Sequence, residues 1–202
     1  MRLYHYTAIS KLDSILAVGL TRGEVVINFD HVLNGVNLTT DPSSSGHGLG
    51  SGSFFTPQIA TRLGLHLRQN DIVPFFPNKR KVRISVDIER SSVTRWLRWS
   101  LKNVDAVTRE QLIRSGGGMP KARSWYFSFD PIYPDKFEAV EINQGGTWID
   151  HREYAGTMGE EPPDHALVTG YRHWGDQLRI GRTQSFLNQL DKALADAVAN
   201  TA

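Results

Sequence analysis

The sequence predicts an α+β protein, and three observations indicate that class. Residues Lys81 to Glu89 alternate between apolar and polar side chains, which places Val82, Ile84, Val86 and Ile88 on one face of a strand. Shorter extended segments lie before and after this strand and end at turn signals such as Asp41-Pro42. Thr183 to Asn200 has a stripe of apolar side chains at helical spacing, which predicts a C-terminal helix.

The composition limits the size of the core and the kinds of functional site that the chain can have. The chain has 202 residues, of which 40% are hydrophobic, and this is enough for one full core. Its 23 basic and 21 acidic residues neither require nor exclude a polyanionic partner. The absence of cysteine excludes disulfides, thiolate zinc sites and cysteine nucleophiles. No run approaches the roughly 18 apolar residues of a membrane helix, so we expect a cytoplasmic protein with no membrane partner.

The sequence of the N-terminal part indicates strands before and after a short helix. Leu3 to Tyr6 is an aromatic strand candidate, and the helix after it ends at Gly19. Ser10, three residues before Asp13, resembles a capping box at the start of that helix. Two further extended segments are expected, at Val25 to Phe29 and at Gly35 to Thr40.

In the rest of the chain, sequence patterns indicate three helices, followed by two late strands. The predicted helices cover Ile59 to Leu67, Val93 to Leu101 and Asp105 to Arg114, and the glycines at 116–118 predict a loop. Two late strands are expected at Trp125 to Phe129 and Phe137 to Ile142. We expect residues 1–144 to form the core domain. Residues 145–202 are expected to be an irregular extension, with the C-terminal helix packed on the same domain.

A Ser- and Gly-rich segment, SSSGHGLGSGS at Ser43 to Ser53, is either a flexible loop or a backbone cradle for a ligand. Glycine has no Cβ, so successive N–H groups there can approach a phosphate closely. The spacing of its glycines does not match a dinucleotide fingerprint, and no Gly-Lys-Ser/Thr follows as in a P-loop.

Three short motifs occur in order: LYHYT at Leu3 to Thr7, GVNLTTD at Gly35 to Asp41, and FEAVEI at Phe137 to Ile142. Together they resemble the ADP-ribosyltransferase superfamily. LYHYT is similar to the opening of the DarT-like and related small toxin branches, and GVNLTTD to a core strand of the poly-ADP-ribose polymerase branch. The likeness spans roughly Leu3 to Ile142.

The resemblance implies a split mixed β-sheet, NAD as the ADP-ribose donor, no metal, and a macromolecular acceptor that is protein, DNA or RNA. It assigns catalysis to Glu138, His5 and Asn37, although the family usually has Tyr at the position of Asn37. A carboxylate near the ribose stabilises the positive charge that develops as nicotinamide leaves, and a His fixes a ribose hydroxyl. Glu138 is favoured over Glu141. A role as a toxin or as an effector in bacterial and phage conflict is expected.

The expected NAD-binding residues lie on the first strand, the Ser/Gly segment and a late strand. Aromatic rings, including Trp125, are expected to stack on the flat parts of NAD. The binding residues are His5, Tyr6, Thr7, Thr39, Ser43, Ser44, Ser45, Gly46, His47 and Tyr126.

Two alternatives remain open. Asn37 in place of an aromatic residue is compatible with a catalytically inactive binding module of the same fold. Trp96, Trp99 and the basic residues from Lys79 to Arg83 are compatible with a nucleic-acid binder. The spacing of the histidines makes a zinc site an unfavourable interpretation.

Overall fold

A seven-stranded sheet is the centre of the fold in this computed structural model, which describes residues 1–28, 31–54 and 75–155. The described strands are β1 (Arg2–Thr7), β2 (Glu24–Val26), β3 (Val32–Asn34), β4 (Val36–Thr39), β5 (Ser51–Phe54), β6 (Phe75–Asn78), β7 (Val82–Asp87), β8 (Thr94–Arg95), β9 (Trp125–Ser128), β10 (Phe137–Gln144) and β11 (Thr147–Asp150). The described helices are α1 (Leu12–Val18), α2 (Trp96–Asn103), α3 (Ala106–Ser115) and α4 (Gly118–Ala122).

The strand order in the large sheet is β11-β10-β7-β1-β4-β9-β8. β1 pairs with β7 along its whole length, whereas β1 and β4 share one register pair, Tyr4 opposite Thr39. The α+β class is confirmed, and the described pairings in this sheet are antiparallel rather than mixed. The strands β2 and β3, and likewise β5 and β6, form separate two-stranded sheets.

One face of the large sheet forms the main apolar core. The alternation predicted for β7 is confirmed, because Val82, Ile84 and Val86 are fully buried. Side chains of the 3-10 turn at Ile9–Lys11 and of α1 cover this face, with Ile9 and Leu12 among them. Burial of such side chains is the dominant favourable term in folding, at about 1.5 to 3 kcal/mol each.

The opposite face has two parts with different character. Over β4, β9 and β8 it carries a second core cluster, in which Trp96 and Ala122 from the helices pack with Val25 and Phe127. Over β1, β7, β10 and β11 the strands instead present the residues that we call the polar face: Tyr4, Tyr6, Arg83, Glu141 and Trp148. Register pairing places them together, because side chains of paired residues share a face.

Several local predictions need correction. Lys11 precedes α1 and no side chain caps that helix, so the capping box at Ser10 does not form. Thr94 and Arg95 pair with β9, and the predicted helix at Val93 starts later, at Trp96, because β-branched residues favour extended backbone. In contrast, the helix predicted from Asp105 is confirmed, and the Asp105 carboxylate caps it by accepting from Thr108 N–H at 2.9 Å.

The glycines at 116–118 are not only a loop, since Gly118 begins α4. Gly116 is buried where a Cβ would lie 2.3 Å from the Trp125 ring, so close packing requires glycine there. The predicted helices at Ile59 to Leu67 and Thr183 to Asn200 lie outside the described residues.

The chain divides into two compact units, Met1–Ser51 with Asn78–Met158, and Gly52–Pro77 with Gly159–Ala202. This division differs from the expected boundary after residue 144. Thr147–Asp150 is a strand that pairs with β10, so the segment predicted to be irregular contributes an edge to the sheet. In the described ranges, no helix has the length and apolar character needed to cross a bilayer.

Candidate functional site

His5 lies where β1 and β4 separate. It is opposite Ile84 of β7, and its Nδ1 is 2.9 Å from the Asn37 carbonyl oxygen. Burial lowers the pKa of His5, and the charge of Lys79 acts in the same direction. His5 therefore bridges two strands that share little backbone pairing, which is a structural role.

Asn37 contacts His5 through its backbone alone. Its side-chain Nδ2 donates to the Glu24 carbonyl at 3.0 Å and so holds β2 against β4. Alternation along β1 and β4, aligned by the pair Tyr4 and Thr39, places the Asn37 side chain on the face opposite to His5. The expected joint action of these two side chains has no support in this geometry.

Glu138 lies at a bulge in β10, between Phe137 and Ala139. Its Oε2 accepts from Arg2 Nε at 2.5 Å, and this hydrogen bond raises the pKa of Arg2. Among the described residues, no hydrogen bond or ion pair connects Glu138 with His5 or Asn37. The structure does not bring the three predicted catalytic residues together.

Glu141, the carboxylate that the sequence made the second choice, lies in the middle of the polar face. Arg83 binds it in a bidentate manner, with Nε to Oε2 at 2.8 Å and Nη2 to Oε1 at 2.9 Å. The Arg83 side chain is 14% exposed and that of Glu141 is 24% exposed. Burial opposes the charge of Arg83, but its hydrogen bonds to Glu141 raise its pKa. The carboxylate is thus held in a fixed orientation and is still accessible.

Aromatic rings surround this ion pair. The Arg83 guanidinium lies 4.4 Å from the centre of the Trp148 ring and 5.4 Å from that of Tyr4. Arg83 Nη1 also donates to the Pro42 carbonyl at 2.8 Å, which ties the start of the Ser/Gly segment to the polar face. Arg83 therefore connects the carboxylate, the rings and the loop.

Hydrogen bonds at Asp41 fix the turn that precedes the Ser/Gly loop. Tyr6 Oη donates to the Asp41 carbonyl at 3.0 Å, and Thr39 Oγ1 accepts from the Asp41 N–H at 3.0 Å. Asp41 Oδ1 accepts from Ser43 N–H at 2.9 Å, and its Oδ2 is 2.5 Å from Lys121 Nζ. Although burial opposes it, the Lys121 hydrogen bond lowers the pKa of Asp41.

Tyr6 and Thr39 are supporting residues rather than ligand contacts. Tyr6 is 7% exposed and Thr39 is 4% exposed. The Tyr6 ring lies between those of His47 and Trp148, at centroid distances of 6.1 and 6.2 Å. Burial raises the pKa of Tyr6, so its hydroxyl stays protonated and keeps donating to the turn. The expected stacking of Tyr6 on a ligand would require these neighbours to move.

His47 anchors the glycine-rich part of the loop. It has φ of +60°, between Gly46 and Gly48 with φ of +79° and +68°. Trp125 Nε1–H donates to His47 Nδ1 at 2.8 Å, and since an indole only donates, Nδ1 must be an acceptor. The proton of the neutral ring is therefore on Nε2, which is buried and 3.5 Å from Asp41 Oδ2. Burial and the charge of Lys121 lower the pKa of His47.

The remaining predicted NAD-binding residues fall into two groups. Around the loop, Ser43 and Ser45 are exposed, while Ser44, Gly46 and His47 are partly buried. Thr7 is buried at the end of β1, and Tyr126 packs against the main core on the face opposite to Glu141. The loop residues thus share a location with the polar face, and Thr7 and Tyr126 do not.

The sequence placed Arg83 in a basic cluster that could hold phosphates or an acceptor, but not beside a catalytic carboxylate, and it gave no binding role to Trp148 or Asp41. Arg83 occupies a polar position of the alternating β7 strand, which was a usable signal because a polar residue on an internal strand needs a partner. Trp148 lay in a segment expected to be irregular. The nucleic-acid alternative loses its aromatic surface, since Trp96 packs on Trp125 and Trp99 on Phe127, at centroid distances of 5.1 and 5.0 Å.

Similarity to known proteins gives this site no independent assignment. We compared the chain with protein-family models, curated proteins and solved structures, and none of them matches it.

Proposed function

We propose that this protein is an ADP-ribosyltransferase that takes NAD as donor on the polar face and uses Glu141 as its carboxylate. The observation that carries the proposal is the Glu141 carboxylate, held by Arg83 beside Trp148 and next to the Ser/Gly loop. The acceptor is a macromolecule, protein or nucleic acid, and the site of action is the cytoplasm. An effector or toxin role is compatible with this chemistry.

The reaction needs a negative group where positive charge develops. As the bond from ribose C1′ to the nicotinamide nitrogen breaks, the electron pair leaves with nicotinamide and the sugar becomes cationic. A preorganised carboxylate stabilises that state more than the ground state. A nucleophilic atom of the acceptor then bonds to C1′ and releases its proton.

Residues of the polar face and of the Ser/Gly loop have roles consistent with this chemistry. The bidentate contact with Arg83 fixes the orientation of Glu141, so little reorganisation is needed as charge develops. Trp148 and Tyr4 are partly exposed and offer flat apolar surfaces to the rings of NAD. Ser43 and Ser45 are exposed on the loop and present hydroxyls to ribose or phosphate.

The residues proposed to act on NAD therefore differ from those that the sequence motifs implied. Glu141 replaces Glu138 as the proposed carboxylate, and His5 and Asn37 become structural residues. The two glutamates lie on the same strand, three residues apart, and each bonds one arginine. This makes Glu138 a matched control for Glu141.

The test uses the full chain with radiolabelled NAD, and measures both nicotinamide release and labelled acceptor in a cell extract. The Glu141→Gln variant should lose about 100-fold or more of the rate, because it removes an electrostatic contact to the transition state. Glu138→Gln should keep the wild-type rate within about twofold, since its partner Arg2 is exposed and is not the arginine that holds Glu141. No turnover in the wild type, or equal rates in the two variants, would reject the proposal.

One observation favours a second candidate, a binding module without catalysis. Arg83 engages both oxygens of Glu141, and this pairing offsets the negative charge that the reaction would use. Such a module would bind NAD, as measured by calorimetry, with the same affinity in the wild type and in Glu141→Gln, and would release no nicotinamide.

A further inference from the structure

A polar cavity adjoins the site at the ends of β7 and β10. It has a volume of about 330 Å³ and we call it the anion cavity; it is lined by Ser44, Asn78, Arg80, Lys81, Asn143 and Gly145. Among the described residues, the lining contains two cations and no carboxylate. Within the part of the chain that the structure describes, this is a concave surface built to favour negative charge.

Two of the lining residues are asparagines whose side-chain oxygens cap their own turns. Asn78 Oδ1 accepts from Arg80 N–H at 3.0 Å, and Asn143 Oδ1 accepts from Gly146 N–H at 2.9 Å. Since each oxygen accepts within its own turn, the Nδ2 group is the donor end of each of these lining side chains. Amide N–H groups and cations are the partners that phosphate oxygens accept from.

The backbone fixes the shape of the cavity. Arg80 Nε donates to the Leu49 carbonyl at 3.2 Å, and Lys79 N–H donates to the Gly50 carbonyl at 3.0 Å, so the Ser/Gly loop is tied to the turn before β7. Asn143 N–H donates to the Lys81 carbonyl at 2.8 Å, which joins β10 to the same turn. Lys81 Nζ lies 5.2 Å from the centre of the Tyr154 ring, which restricts that side chain.

The cavity and the proposed carboxylate are neighbours along two strands. Asn143 follows Glu141 by two residues on β10, and Lys81 precedes Arg83 by two residues at the start of β7. Two residues of a strand span roughly 7 Å, so a sugar beside Glu141 would have its phosphate in reach of the cavity.

We propose that the anion cavity is a phosphate subsite that binds phosphate groups of a substrate. The phosphate comes either from the diphosphate of NAD or from the backbone of a nucleic-acid acceptor. The proposal rests on the proposed function for the identity of these substrates, but the binding of a phosphate group is independent of it.

Calorimetric titration of the full chain with inorganic pyrophosphate tests the subsite directly. Binding should weaken as salt is raised, because salt screens the charges involved. Lys81→Gln should weaken binding about tenfold, and Arg80→Lys should weaken it less because the charge is kept. The matched control is Lys102→Gln, an exposed lysine on α2 outside the cavity, which should bind as the wild type does. Far-ultraviolet circular dichroism and the melting temperature show that each variant is folded.

Competition then identifies the source of the phosphate. Displacement of pyrophosphate by NAD assigns the subsite to the donor, and displacement by a short single-stranded oligothymidylate assigns it to the acceptor. No pyrophosphate binding at millimolar concentration, equal binding by Lys81→Gln and Lys102→Gln, or competition by neither ligand would overturn the proposal. Intact pyrophosphate binding in a protein that never releases nicotinamide would instead reject the proposed enzyme activity alone.

Discussion

The ion pair between Arg83 and Glu141 should be a strong stabilising contact as well as a part of the site. Both side chains are mostly buried, at 14% and 24% exposure, and two charge-assisted hydrogen bonds join them. Loss of one partner of a fully buried pair costs about 3 to 5 kcal/mol. Because some solvent reaches this pair, we expect about 2 to 3 kcal/mol of lost unfolding free energy for Arg83→Met or Glu141→Gln.

A double-mutant cycle isolates the contact. In urea unfolding of the wild type, the two single variants and the double variant, the coupling energy should be about 1.5 to 2.5 kcal/mol. The control is the pair Glu110 and Arg114 on α3, whose atoms are 3.8 Å apart and whose side chains are 77% and 76% exposed. That pair should give about 0.3 to 0.5 kcal/mol. Equal coupling energies for the two pairs would refute the structural account of the polar face.

Three further predictions concern the loop anchor, the core and the response to pH. Trp125→Phe should lower the free energy of unfolding by about 1 to 3 kcal/mol, as measured in urea, because His47 Nδ1 stays buried without its donor. Ile84→Ala, at a fully buried site, should lower the free energy of unfolding by about 2 to 5 kcal/mol. Val18→Ala, at a site that is 51% exposed, should change it by less than about 0.5 kcal/mol. A large loss for Val18→Ala would contradict the exposure of Val18. His5 and His47 have pKa values below the ordinary 6.5, so the unfolded chain binds protons that the folded chain does not, and stability should fall as pH falls below about 6.5. His47→Gln should flatten this decline in urea titrations between neutral and mildly acidic pH, and an unchanged slope would contradict the burial of His47.

Much of the sheet could be predicted from the sequence, because strand signals are local. The alternation at Lys81 to Glu89 identified β7, and the apolar segments near Leu3 and Phe137 identified its two neighbours. The pairing partners, and the second core on the other face, depend on contacts between residues distant in sequence. Trp96 and Trp99 illustrate this, because their helical spacing is equally compatible with a core and with an exposed stacking surface.

The candidate site was harder to predict because it depends on which face each residue occupies. His5 and Tyr6 are adjacent in sequence, yet alternation along β1 puts them on opposite faces. The bulge between Phe137 and Ala139 changes the register of β10, so the sequence alone could not decide whether Glu138 or Glu141 shares a face with Tyr6. The Ser/Gly loop was singled out from its composition, and its binding role stays a prediction.

A crystal structure of the protein with NAD bound tests the central claim most directly. It should show the nicotinamide ribose within hydrogen-bond distance of Glu141, with the ring against Trp148 and the loop at Ser43 to Ser45 in contact with the dinucleotide. A ribose bound instead beside His5 and Glu138 would contradict the assignment of the polar face and restore the arrangement that the motifs implied.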